Sequence, residues 1–269
     1  MALVLLALPI PLLGALVVGL PMLLAAAGLL LVRSHAPHSR LQPHHDVAGF
    51  IYAGLAVLYA VLLGFVVITV WEQFNASHSR VHREADALGN LLHEAPGFPA
   101  PVQRAILESV RTYARAVVEH EWRTMAQGQE SPAARQAYEG LWQTIRAVEP
   151  HTPVEVNWHA ALLRSLATLS DNRRDRLADS RDELPVVLWA VLVGGAVINI
   201  AYTFLFGVRS FVVHLLITES LTAMTALLLF VILVMDLPFA GGVQVEPEPF
   251  VRQLHSVDQQ LQQITAKDS

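Results

Sequence analysis

The chain has no cysteine. Disulfides, thiolate metal centres and thiol nucleophiles are therefore excluded, and the redox state of its compartment leaves no mark on it. Charge is scarce too. Asp, Glu, Lys and Arg make up 15% of 269 residues, where an ordinary soluble domain carries about 25%. The net charge of -5 is small and unclustered, which argues against nucleic acid as a partner. Lysine is nearly missing, since arginine supplies 17 of the 18 basic residues. No Gly-rich phosphate loop, nucleophile elbow or paired-carboxylate arrangement stands out, so neither an enzyme nor a cofactor is expected. What the chain has in quantity is apolar surface: 54% hydrophobic residues and a mean hydropathy of +0.44. The class is integral membrane protein.

One stretch organises the rest. Between Val47 and Val70 there is no charge and no proline. Such a segment spans roughly 36 Å as a helix, enough to cross a hydrocarbon core of about 30 Å. It ends at Trp71-Glu72, an aromatic anchor followed by a charge at the expected depth. The sequence after Glu72 stays helical but turns polar, so one rod is expected to leave the membrane and enter a soluble domain. Three further apolar runs complete the set. Residues 1–32 read as a retained first membrane helix, bent or begun late because of Pro9, Pro11 and Pro21. Residues 185–206 and 211–235 read as a tight antiparallel hairpin.

The fold class is therefore all-α: four transmembrane helices with a helical-bundle soluble domain between the second and third. The expected parts are helix 1 at 1–32, a linker at 33–46, helix 2 at 47–71 and the bundle at 72–184. Helices 3 and 4 follow at 185–206 and 211–235, then a turn and amphipathic tail at 236–269. Within the bundle the breaks are APGFPAP (95–101), the Ala126–Pro132 segment and EPHTPVE (149–155). Between them apolar residues recur three and four apart. Leu88, Leu91 and Leu92 mark the first helix; Ile106, Val110, Tyr113 and Val117 the second. Tyr138, Leu141, Trp142, Ile145 and Val148 mark the third; Trp158, Leu162, Leu166 and Leu169 the fourth. Ser131-Pro132 predicts an N-cap followed by a first-turn proline. No period-2 run signals a strand. In the tail, Phe250, Leu254, Val257, Leu261 and Ile264 follow a heptad seam of about two heptads, too short to stand alone, which should dock on the bundle or on a neighbouring subunit.

Four crossings put the N-terminus, bundle and tail on the same side of the membrane. The basic residues of the short loops, Arg33, Arg40 and Arg209, favour placing the loops in the cytoplasm. Arg80, Arg83, Arg173, Arg174, Arg176 and Arg181, near the membrane ends of the long segment, oppose that count.

Several stretches resemble a family of bacterial multi-pass membrane proteins, the bestrophin-like family. They are GFIYAGLAVLYAVLLGFVVITVWEQF (49–74), READAL (83–88), YARAVVEHEW (113–122), LPVVLWAVLVGGAVINIAY (184–202) and MDLPFAGGVQVEPEPF (235–250). The last is the most specific. The resemblance implies likeness to bestrophins, pentameric anion channels with four membrane helices per subunit and a helical, cytosolic domain between the second and third. It implies a homo-oligomer in the bacterial inner membrane with small anions as partners. The acidic calcium clasp of animal bestrophins is missing, so calcium gating does not carry over.

Two groups of residues are the candidates for a site. On helix 2, Gly49, Ala53, Ala56, Ala60 and Gly64 form a small-residue stripe. Small faces let membrane helices pack closely; the alternative is a pore lining, where an apolar constriction gates by dewetting. Tyr52 and Tyr59 either offer hydroxyls to that path or cap interhelical contacts. On helices 3 and 4, Asn199 and Glu219 lie equally far from Arg209 and are expected to face each other at equal depth. Tyr202, Thr203, Thr218, Thr222 and Thr225 extend the patch. An acid in a membrane helix marks either function or a protonated hydrogen bond that locks the hairpin.

Weaker signals remain. His78, His82 and Asp86 share a helix face, but Ser79 stands where a zinc-binding HExxH motif needs glutamate, so no metal is expected. His35, His38, His44 and His45 cluster in the linker. Asp236, Glu246 and Glu248 either bias ions at a pore mouth or form the polar boundary of helix 4. The alternative to a channel is a membrane-anchored scaffold or sensor that binds a protein partner without transport.

Overall fold

The structure is a computed structural model and describes residues 8–35 and 45–268, with the side chains of 45–48, 267 and 268 excepted. His38 and His44, and the side chain of His45, therefore lie outside it, as does the start of the first apolar run. Every regular element among the described residues is helical. Four helices are long and apolar enough to cross a membrane. They are α1 (Ile10–His35), the first part of α2 (His45–Glu94), α7 (Val186–Thr203) and α8 (Phe211–Met235). Between α2 and α7 lie α3 (Ala100–Ala116), α4 (Trp122–Met125), α5 (Pro132–Arg146) and α6 (Pro153–Asp179). The last element is α9 (Glu248–Asp268).

The chain divides into two compact units. One holds Met1–Gln73, Glu183–Asp236 and Gly241–Val243; the other holds Phe74–Asp182, Leu237–Ala240 and Gln244–Ser269. The 50-residue helix α2 contributes to both. Nothing between Trp71 and Phe74 breaks it, since no proline or glycine interrupts the backbone ladder where the polarity changes.

In the first unit α1 starts late, at Ile10, and Pro21 lies inside it. It packs along α8, and Gly28 faces Phe204, where a Cβ would come within 2.9 Å of the ring. Its last turn carries Arg33, whose guanidinium donates to the carbonyls of Val208 and Arg209 at 3.2 and 2.7 Å. Those carbonyls belong to the α7–α8 turn, and Ser210 caps α8 by accepting from Val213 N–H. A small apolar core joins Tyr59, Leu63, Val66 and Val70 of α2 to Leu192 and Ala196 of α7 and Ile232 of α8.

In the second unit most of the predicted markers are buried, while Tyr138 and Trp142 are half-buried against the same core. Leu88, Leu91, Leu92, Ile106, Val110, Tyr113, Val117, Leu141, Ile145, Leu162, Leu166 and Leu169 share one core. Ser131 caps α5 as predicted, accepting from Ala134 N–H. Trp158 differs: it is 38% exposed and covers Gly97 rather than filling the core. The α9 seam docks on the bundle of its own chain, with Phe250 and Val257 buried and Leu254, Leu261 and Ile264 packed against the same core.

Candidate functional site

In the first unit α2 presents two different faces. Tyr59, Leu63, Val66 and Val70 point into the apolar core. The Tyr59 hydroxyl donates to the Leu192 carbonyl at 2.9 Å, and its ring lies over Gly195, where a Cβ would come within 2.6 Å. Tyr59 is thus placed in helix packing. Tyr52 stacks near Tyr202 and meets Phe206 edge-on. The small-residue stripe lies elsewhere: Ala53, Ala60 and Gly64 are exposed, Gly49 and Ala56 half-buried, and nothing packs within reach of Gly64. Phe50, Val57, Val61 and Phe65 are exposed beside it.

The expected pairing of Asn199 with Glu219 is corrected. Asn199 donates back to the Gly195 carbonyl of its own helix at 2.9 Å. The polar contact between α7 and α8 is made one turn closer to the hairpin, where the Thr203 and Thr218 hydroxyls meet at 3.1 Å. His214, which the sequence reading passed over, is buried and bonded through Nε2 to the Thr203 carbonyl at 2.8 Å. Thr222 bonds the Thr218 carbonyl. Local bonds of this kind satisfy a hydroxyl without a partner helix. Glu219 Oε1 is buried with no hydrogen-bond partner among the described residues. Asp236 fits the expected polar boundary of helix 4: it is buried and accepts from Leu184 N–H at 2.8 Å and Trp189 Nε1 at 3.2 Å. It ties down the start of α7. Glu246 and Glu248 are exposed.

The second unit holds a charge cluster that sequence reasoning missed. Arg176 is fully buried. Its Nε and Nη2 donate to both Glu84 carboxylate oxygens at 2.6 and 3.0 Å, and Nη2 also reaches Glu121 at 2.7 Å. Arg173 bonds Glu121 at 2.6 Å and Glu130 at 3.1 Å. The Tyr113 hydroxyl donates to Glu84. The rings of Trp122 and Phe250 flank the Arg176 guanidinium at 5.4 and 5.7 Å. Burial alone would lower the Arg176 pKa; Glu84 and Glu121 more than offset that and hold it well above its ordinary value. Burial, and then the Glu84 charge, push the Tyr113 phenol well up. Two arginines and two glutamates thus sit in the core as a neutral, mutually bonded set.

Local geometry explains how Glu121 gets there. At 100° per residue, the residue seven beyond Tyr113 would return to its face. That residue is His120, which is exposed. The π-turn Val117–Glu121 inserts one residue and puts Glu121 in its place. The missed signal lay in the spacing. Leu162, Leu166, Leu169, Arg173 and Arg176 continue one core stripe, as do Val81, Glu84 and Leu88, so charges occupied seam positions.

No group of three or more metal-binding side chains gathers among the described residues. His78 and His82 lie ring to ring at 4.7 Å; burial, His78 and Arg252 lower the His82 pKa, against a smaller opposing pull from Asp86. Among the described residues His35 bonds its own helix end, at Leu31 and Ser34.

These features define an all-α membrane protein with four spans and a helical unit built around a buried charge cluster. A family model of the bestrophin-like domain matches residues 19–250, and the chain belongs to that family. Among solved structures it is similar to a variant of a bacterial bestrophin homolog from Klebsiella pneumoniae. The TM-score is 0.68 at 12% identity, over 92% of this chain and 98% of that one. A further structure of a bestrophin homolog from that organism matches with a TM-score of 0.64 at 12% identity, over 92% and 98%. At that identity the likeness concerns fold. A comparison with curated proteins finds no match. The stretches READAL, YARAVVEHEW and the tail through Phe250 supply Glu84, Tyr113, Glu121, Trp122 and Phe250. Three separated pieces of the family resemblance thus converge on one guanidinium.

Proposed function

We propose that copies of this chain assemble into an oligomeric channel conducting small anions across a bacterial inner membrane, with α2 near the pore. The observation that carries this is the two-faced α2. One face is consumed by α7 and α8, while most of the small stripe, Ala53, Ala60 and Gly64, is left exposed among the described residues. A surface this apolar and uncovered calls for lipid or another subunit. Anion preference rests on family membership alone. In this reading the N-terminus, the bundle and the tail share one side of the membrane, and Glu219 sits in a membrane helix as a group that tunes conduction.

Purified protein in planar bilayers tests the proposal. A salt gradient should give currents reversing toward the anion equilibrium potential. A bulky replacement, Ala56→Trp, should cut them, and Glu219→Gln should change their size or selectivity. Silence under every salt gradient, with a monomer or dimer in solution, would instead fit a scaffold that binds a protein partner.

A further inference from the structure

In the bundle part of α2, His78 and His82 stand one turn apart on the same face, their ring centres 4.7 Å from each other. His78 is exposed and His82 half-buried, so the pair is open to water on one side. Ser79 takes the place of the glutamate in an HExxH motif, but that glutamate is a general base and not a ligand. Its absence excludes the motif's hydrolytic chemistry; ligation needs only the two imidazoles. Two nitrogens bound to one ion at about 2.0–2.1 Å and at a right angle stand about 3 Å apart. Rings whose centres are 4.7 Å apart reach that spacing by turning about their side-chain bonds, since the nitrogens lie on the ring edge. The surrounding charges favour the right protonation state. Burial, His78 and Arg252 lower the His82 pKa, and the neutral imidazole is the form that binds metal. Arg252, which repels a cation, is paired with Glu248 at 4.0 Å, and the Asp86 charge one turn beyond His82 attracts one.

Imidazole suits copper, nickel and zinc, and among these divalent ions affinity peaks at copper. Mg²⁺ is harder and prefers oxygen ligands in an octahedral shell. We propose that His78 and His82 chelate a late first-row divalent metal ion, Cu²⁺ most tightly, through one nitrogen of each ring, with water in the remaining positions. Two side-chain ligands make an exchangeable site and not a closed structural centre. The proposal is independent of conduction, because it concerns the bundle unit alone.

Histidine modification by diethyl pyrocarbonate on the full-length protein in detergent tests it, with Cu²⁺ alone as the probe. Mass spectrometry reads each histidine separately, so binding at the linker histidines does not interfere. Only the metal-free fraction reacts, so the His78 rate should fall about tenfold when Cu²⁺ is about ten times its dissociation constant. In His82→Ala the chelate is broken, and His78 should lose most of that protection. His78→Ala should do the same to His82, and Mg²⁺ should protect neither ring. An unchanged His78 rate under excess Cu²⁺ overturns the site. So does protection of His78 that survives His82→Ala undiminished, which would mark binding to single histidines, or equal protection by Mg²⁺, which would mark a general effect of charge.

Discussion

In the membrane unit several buried polar side chains use local acceptors, and those that cross to another helix, such as Tyr59 to Leu192 and Thr203 to Thr218, do so by single bonds without an ion pair. Asn199 bonds Gly195, Thr222 bonds Thr218 and Thr203 bonds Ile200, each within its own helix. In the bundle unit the buried polar groups reach across helices and pool their charges: Arg176 of α6 with Glu84 of α2 and Glu121 of the π-turn. The difference follows from what else each unit has to hold it together. An apolar face surrounded by lipid gains little from water expulsion, so close backbone approach at glycine and alanine carries the packing. A water-soluble bundle has the hydrophobic effect for cohesion and can use a buried ionic set to fix which helices meet.

That contrast gives the largest expected effect. Arg176→Met leaves Glu84 without its guanidinium, held by the Tyr113 hydroxyl while Glu121 keeps Arg173, and should destabilise the bundle by about 3–5 kcal/mol, read from chemical unfolding of the purified protein by circular dichroism. Adding Glu84→Gln alone restores the balance, with Arg173 still facing Glu121, and should recover much of that loss. If the double variant is no better than the single one, charge balance is not what the cluster supplies. Next comes packing in the membrane unit. Gly195→Ala drives a Cβ to within 2.6 Å of the Tyr59 ring and should cost about 1–3 kcal/mol by overpacking. Gly194→Ala next to it meets nothing within 4 Å and should be neutral or slightly stabilising, the two melting temperatures serving as the check.

Asn199→Ala should be milder, about 1 kcal/mol or less, since its bond is local. Combined with Glu219→Gln it should show a coupling energy below about 0.5 kcal/mol in a double-mutant cycle; a large coupling would restore the pairing that the structure does not contain. The smallest effect is a pH slope. Burial raises the Glu94 pKa, and the Ser165 hydroxyl bond at 2.8 Å only partly counters it. The folded state therefore holds this proton more tightly than the unfolded one. The contribution is complete in acid and is lost as pH rises from the ordinary carboxylate range through the folded value. Glu94→Gln should flatten unfolding stability across that window.

How much of this the sequence disclosed depended on how local the cause was. Uninterrupted apolar length announced the spans, and three-four spacing announced Leu88, Ile106, Leu141 and Leu162 as core. Ser131 announced its own cap. The tail seam announced an apolar face but not its partner, because a seam is silent about what covers it. Glu84, Glu121 and Arg176 are far apart in the chain, and one of them reaches the core only through a π-turn that no periodicity count anticipates. Asn199 and Glu219 failed for the opposite reason. Equal distance from a turn fixes depth but not rotation about the helix axis, and Asn199 found a nearer acceptor.

Because the chain has no native cysteine, single thiols can be placed on either face of α2 without background. The most direct measurement is the bilayer current of Ala60→Cys, on the open face, and Val66→Cys, in the apolar core, before and after a charged, water-soluble thiol reagent. A pore bordered by the open face of α2 predicts that Ala60→Cys loses current on labelling while Val66→Cys is unaffected. Loss through Val66→Cys with Ala60→Cys untouched, or no current from either, would contradict it.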